Sequence, residues 1–368
     1  ATIQSMRAEQ GTGSVIETPP IGGGVVEPKL LAAATLSGQL SSIFELTKPR
    51  ITKLVVVTSG VGFALAAMRR SWTPGDVAIA GLGCIAGTAL SSAGASTLNM
   101  WWERRRDASM KRTATRPLPE NRLSPAAALT SGLLLSVVGV LLLSLLCGPA
   151  PALVSLVTIA LYVLIYTPLK TVTTLNTIVG AVPGALPPLI GFTTGAAWAP
   201  MMLMRADEAA ARAELSMASL LDPAGWSLVV LMTVWQIPHF LALAWMYNED
   251  YAQGGYRMLP IEDPDGRRTT AAIVLWGVAL LPCVLAPVVL CRDLLGPLYA
   301  AVAGVSTALF LFLCVRLLKD RSRASARRVF LGSISHLPLI LLVMMADAAL
   351  HRFVLGLGSP MTVGAVFP

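Results

Sequence analysis

The sequence predicts an all-α integral membrane protein, a bundle of nine transmembrane helices, and three observations carry that expectation. Of 368 residues, 55% are hydrophobic and 13% charged, where an average soluble domain carries about 25% charged residues, and the mean hydropathy is +0.68. The apolar residues fall in long blocks free of charge, as a hydrocarbon layer about 30 Å thick demands. The Lys and Arg residues between the blocks are divided very unevenly between two faces.

Apolar stretches long enough to cross lipid run over residues 51–68, 77–100, 125–147, 150–168, 175–198, 226–247, 270–291, 296–316 and 329–349. With the N-terminal side taken as side A, 22 of the 28 Lys and Arg lie on side A and 6 on side B. The positive-inside rule then turns side A toward the cytoplasm or the mitochondrial matrix. A net charge of +8 placed along one membrane face suits anionic lipid or an anionic substrate, and no nucleic-acid partner is expected. Cys84, Cys147, Cys283, Cys291 and Cys314 form no CxxC pair and read as small core residues.

Residues 1–44, rich in Gly, Ser, Thr and Pro, read as a mostly flexible leader. A membrane domain is expected over 45–352, with a helix-prone insertion at 201–223 on side B and a tail at 353–368. The insertion has the character of a segment lying on the membrane surface.

Chemistry concentrates in two side A loops. At the end of the second span, Asn99, Glu103 and Asp107 stand at i, i+4 and i+8, so a helix continuing to Asp107 projects all three oxygen-bearing side chains from one face. Such donors suit Mg²⁺, which takes carboxylates together with substrate phosphate oxygens. Lys111, Arg112 and Arg116 follow closely, with the charge to bind those phosphates. The same spacing equally suits a solvated helix end with incidental acids.

A second acidic cluster, Asn248, Glu249 and Asp250, follows the sixth span ahead of Gly254 and Gly255. Two acidic sites on one face, one from each half of the chain, imply a shared anionic ligand bridged by metal. Tyr166 and Lys170 close the fourth span on that face, where an ammonium would meet a diphosphate. His239 lies within the sixth span beside Gln236, and His336 lies within the ninth. Each is a candidate haem contact, with a hydrogen-bonded structural histidine as the rival in both cases.

These residues carry a resemblance. The stretches at 46–54 (LTKPRITKL), 99–119 (NMWWE to RPLP), 166–170 (YTPLK), 174–192, 235–240 (WQIPHF) and 249–260 resemble the UbiA-like intramembrane prenyltransferase superfamily, and within it the haem-farnesylating branch. The similarity runs from about residue 46 to 350 and omits the leader and the insertion. It implies nine helices around a central cavity open toward lipid, with two acidic motifs holding Mg²⁺ and diphosphate. The first motif corresponds to Asn99, Glu103 and Asp107, the second to Glu249 and Asp250.

The implied substrates are farnesyl diphosphate and haem B, the product haem O for cytochrome oxidase assembly. Trp101, Trp102 or Tyr166 would steady the allylic cation with a ring face. The chain departs from the usual bacterial pattern at Glu103 and Arg105, where aspartates are usual. That departure, with WQIPHF and SHLP, resembles the mitochondrial branch and implies an inner-membrane protein with its active face toward the matrix. Another acceptor, such as a quinone precursor or chlorophyllide, and a transporter are the rivals, and self-association or a haem-pathway partner is left open.

Overall fold

A computed structural model describes residues 35–198, 203 and 205–354. The described residues are helical and turn segments with no strand, and nine helices are long and apolar enough to cross a membrane: Pro49–Ala67, Pro74–Asp107, Pro125–Leu146, Pro149–Leu169, Asn176–Ala196, Pro223–Met246, Arg267–Leu290, Pro297–Asp320 and Arg323–Val354. Proline opens six of them, where its missing N–H costs nothing and its fixed φ suits the first turn. Thr73, Ser124, Asp222 and Ser322 accept backbone N–H bonds as N-caps.

Hydropathy alone places the second span at 77–100, yet the helix runs for 34 residues to Asp107. At 1.5 Å per residue that is about 50 Å, well beyond the ~30 Å hydrocarbon layer. Its last turns therefore rise out of the lipid core while staying inside protein. The fifth span is not one straight rod: its helix stops at Ala185 and restarts at Pro187, because Pro187 and Pro188 together withdraw two backbone donors.

The fifth and sixth spans are 78% and 72% buried over their apolar windows, and the other seven between 22% and 44%. Two helices thus form the axis and seven form a lipid-facing ring, which explains the exposed Leu134, Leu275 and Leu342. The first span lies tight against the fifth, where a Cβ at Gly62 would run into the Pro188 carbonyl and one at Gly191 into that of Ser59. Small residues permit such close approach where lipid supplies no hydrophobic drive between helices.

Contacts between loops respect the two faces. On side A, Arg122 pairs with Glu45 at 2.8 Å, the Arg257 N–H donates to Lys170 O at 2.7 Å, and Ser109 Oγ donates to Gln253 O at 3.2 Å. On side B, Arg69 binds Asp293 and the Trp198 indole donates to Leu146 O.

The flexible leader expected to reach residue 44 needs correction at its end: Leu36–Leu46 is a helix capped by Thr35, with Leu46 buried against Met100 and Leu118. Residues 1–34 of that leader and 355–368 of the expected tail lie outside the described residues. The ninth helix reaches Val354, past the domain boundary read at 352. Within the insertion, Ala206–Ala218 is helical and Ser216 accepts the N–H of Ala150 at 3.3 Å.

Gly62→Val should lower the midpoint of thermal unfolding in detergent, the overpacking costing about 1–3 kcal/mol. Gly60→Ala, with nothing within 4 Å of the added Cβ, should leave the midpoint unchanged.

Candidate active site

The long second helix carries Asn99, Glu103 and Asp107 up one side, and all three are buried, at 1%, 5% and 1% exposure. Each faces a cation from a different segment. Lys48 Nζ donates to Asn99 Oδ1 at 2.7 Å, Lys170 Nζ to Glu103 Oε1 at 2.8 Å, and Arg116 Nη1 to Asp107 Oδ2 at 2.7 Å. Asp107 Oδ1 is buried with no hydrogen-bond partner. Asn99 Nδ2 donates to Thr167 Oγ1 at 3.0 Å, and Tyr162 OH donates to Asn99 Oδ1 at 3.4 Å.

Local structure sets these positions. Lys48 sits at φ 48° between the first short helix and Pro49, an uncommon conformation for a non-glycine residue that occurs at functional sites. In the fourth span, Leu161–Tyr166 is π-helical, a local widening often found at functional sites, and the Tyr162 and Tyr166 rings lie 5.6 Å apart. Lys170 Nζ lies 4.5 Å from the Tyr166 ring centroid and 5.9 Å from that of Tyr256. Tyr166 presses on Gly180 of the fifth span so closely that a Cβ there would enter its ring.

Burial pushes the Lys48 ammonium down to about 7, helped by the positive charge of Arg116. Burial works against the Lys170 ammonium too, but Glu103 beside it holds Lys170 well above the usual lysine range. Burial and the Glu103 carboxylate raise the Tyr256 hydroxyl above its usual value. The site therefore holds one firmly charged ammonium and one that responds to whatever anion is near.

The second acidic loop stands next to the first. Ser109 bonds Gln253, Arg112 lies over the Tyr247 and Tyr251 rings at 5.5 and 5.6 Å, and Met110 packs with Tyr256 and Met258. Glu249 is exposed and Asp250 half-buried in the short helix Asn248–Gln253, and neither makes an ion pair among the described residues. Among those residues no three Asp, Glu, His or Cys side chains form a metal-binding group. The two acidic loops are neighbours, while the five oxygen donors Asn99, Glu103, Asp107, Glu249 and Asp250 stand as two sets.

Several expected residues lie elsewhere. Lys111 is exposed. Trp101 packs beside Leu46 and Met100 under Arg104, and Trp102 is 39% exposed; consecutive residues turn 100° on a helix, so these rings leave the face of Asn99 and Glu103. His239 bonds Ser333 between the sixth and ninth spans and stacks on Trp235 and Phe330. His336 bonds Ser306 and stacks on Phe310 between the eighth and ninth. Beside Asn99, Glu103 and Lys170 stand Lys48, Tyr162, Thr167 and Tyr256, which sequence reasoning did not single out. Lys48 had a signal, being fixed just before Pro49, but it reads in sequence as one more side A charge.

The UbiA prenyltransferase family profile matches residues 55–337. A bacterial relative from Solibacter usitatus, called protoheme IX farnesyltransferase, is 39% identical over 82% of this chain and 97% of its own length. A Pyricularia oryzae relative, called protoheme IX farnesyltransferase, mitochondrial, is 34% identical over 84% of this chain and 56% of its own length. The chain belongs to the UbiA prenyltransferase family. Among solved structures, a UbiA homologue from Archaeoglobus fulgidus bound to DMAPP and Mg²⁺ shares the fold at a TM-score of 0.58 and 12% identity, over 85% of this chain and 99% of that one.

In this UbiA prenyltransferase a mainly apolar cavity of about 110 Å³ lies among the first, second, fourth and fifth spans, with Tyr162, Ile51, Ala95 and Pro183 in its wall. Tyr162 belongs to both cavity and polar site, so the two adjoin. Gly180→Ala should displace the Tyr166 ring and the ammonium above it, cutting prenyl-transfer turnover roughly tenfold, equivalent to about 1.4 kcal/mol in the barrier. Ile178→Ala, on an exposed neighbour, should leave turnover near wild type.

Proposed function

We propose that this chain transfers the farnesyl group of farnesyl diphosphate to a vinyl group of haem B, with addition of water, giving haem O for cytochrome oxidase assembly. The relatives' names support the substrates. The observation that carries the reaction is the row of Lys48, Lys170 and Arg116 against Asn99, Glu103 and Asp107 above an apolar cavity. Three cations converging on one mouth bind a diphosphate, and an apolar chamber beside them receives a prenyl chain.

The residues fit Mg²⁺: all donors are oxygen, and buried Asp107 Oδ1 lacks a partner. Asn99, Glu103 and Asp107 would hold it, with Glu249 and Asp250 supplying the second set. When bound, the metal neutralises charge on the departing diphosphate. Lys48, Lys170 and Arg116 take the remaining phosphate oxygens, with Arg112 at the rim and Lys111 outside it. The allylic C–O bond breaks with its electron pair leaving on diphosphate. The Tyr166 ring, below the ammonium of Lys170, and the Tyr162 ring beside it steady the allylic cation.

The vinyl π electrons then form the new C–C bond. Water adds to the porphyrin-side cation and loses a proton, leaving a hydroxylated farnesyl arm. The chamber, at about 110 Å³, is smaller than the ~300 Å³ at which ligand pockets begin, so substrate entry widens it. His239 is the better haem contact of the two histidines. Ser333 Oγ donates to Phe330 O, so it accepts from His239 Nδ1 and leaves Nε2 with its lone pair on a half-buried ring. His336 is 3% exposed. The catalytic unit is 45–352, with 201–223 outside it and side A facing the matrix or its bacterial equivalent, the cytoplasm.

Incubation with haem B and farnesyl diphosphate should convert the pigment to a farnesyl hydroxyethyl product; an unmodified haem pool refutes the assignment. Chelation should stop turnover and added Mg²⁺ restore it. Asp107→Ala and Asp250→Ala should each abolish turnover without preventing membrane insertion. His239→Ala should weaken haem binding while farnesyl diphosphate binding persists.

A further inference from the structure

On side B, far from the carboxylates, a cavity of about 460 Å³ opens between the ends of the first, fifth and seventh spans, the start of the sixth and the helix Ala206–Ala218. Its volume lies within the ~300–1,000 Å³ of ligand pockets. Three arginines line it: Arg69, Arg70 and Arg212. Arg69 is committed, donating to both oxygens of Asp293 at 2.8 and 2.7 Å and standing 3.9 Å from Asp222. Asp222 in turn accepts the N–H of Ala224 as a helix cap.

Arg70 and Arg212 make no ion pair or hydrogen bond among the described residues. A guanidinium keeps its proton at any ordinary pH, so three arginines share one cavity with a single lining carboxylate, Asp222, which already serves Arg69 and the helix cap. Burial pulls Arg70 below the usual arginine range against the opposing pull of Asp222, and the charges of Arg69 and Arg212 add to the lowering, which places Arg212 within its electrostatic reach. Asp222 and Ser219 also face the cavity, and the remaining wall is mostly apolar, with Phe192, Leu215 and Leu290 among its residues. Leu215 and Leu221 of the neighbouring insertion are themselves 38% and 80% exposed.

The ligand that answers this arrangement carries an anion on an apolar body and approaches at the level of the membrane boundary. We propose that Arg70 and Arg212 hold the phosphodiester of an anionic membrane lipid at this cavity, fastening the helix Ala206–Ala218 to the ends of the first and sixth spans. The site is distinct from the diphosphate mouth: Arg70 precedes the second span, and Glu103 lies roughly 40 Å along that helix.

The test uses the full-length chain purified in detergent and mass-analysed intact after titration with phosphatidylglycerol, phosphatidylcholine or inorganic phosphate. Wild type should retain phosphatidylglycerol in preference to phosphatidylcholine, and inorganic phosphate should not displace it. Arg70→Gln with Arg212→Gln should weaken retention about tenfold or more. Arg212→Gln alone, on an exposed helix position, should lose part of it, and both variants should keep prenyl-transfer activity. Equal retention by wild type and the double variant, no preference between the two lipids, or displacement by inorganic phosphate would each overturn the proposal.

Discussion

Two carboxylates held inside an apolar bundle set the terms for everything around them. Glu103 and Asp107 are 5% and 1% exposed, and a buried charge left alone costs several kcal/mol. The chain meets that cost with Lys170 and Arg116, each within 2.8 Å, and with Lys48 one turn below on Asn99. The three cations come from three separate segments. Folding of the site therefore requires the segment before the first span, the end of the fourth and the loop after the second to meet at one point.

That requirement explains features which packing alone does not. The second helix continues past the hydrocarbon layer because its carboxylate-bearing turns must be enclosed by protein rather than lipid. The π-helical turn of the fourth span rotates two tyrosines toward the ladder, and Gly180 gives one of them room. The fifth and sixth spans, buried on most sides, form the axis from which these neighbours are hung. The same ion pairs that satisfy the carboxylates keep the cations gathered where a diphosphate would arrive. In that sense the resting site is already assembled for an anion.

Much of this is legible in the sequence, and the reasons for the gaps are physical. Nine spans follow from charge-free apolar length, which lipid enforces directly. The alignment of Asn99, Glu103 and Asp107 follows from helical periodicity once the helix is assumed to continue. Lys48 is illegible because a lysine before a first span is ordinary, and its burial depends on packing from residues 51 positions away. Tyr162 and Tyr256 look like interfacial aromatics until a π-turn and a loop bring them inward. Trp101 and Trp102 show the opposite effect: proximity in sequence to Asn99 and Glu103 places them on other faces of the same helix. The break at Pro187 is written in the sequence, but a hydropathy window passes over it.

The central claim is that the two acidic loops, one from each half of the chain, meet at a single mouth on side A. Ser109 and Gln253, joined at 3.2 Å, offer the most direct measurement. With cysteines introduced at both positions and mild oxidation in native membranes, a high yield of intramolecular crosslink is predicted, against none for cysteines at 109 and 205. A pair at 109 and 253 that crosslinks no better than the pair at 109 and 205 would contradict the account.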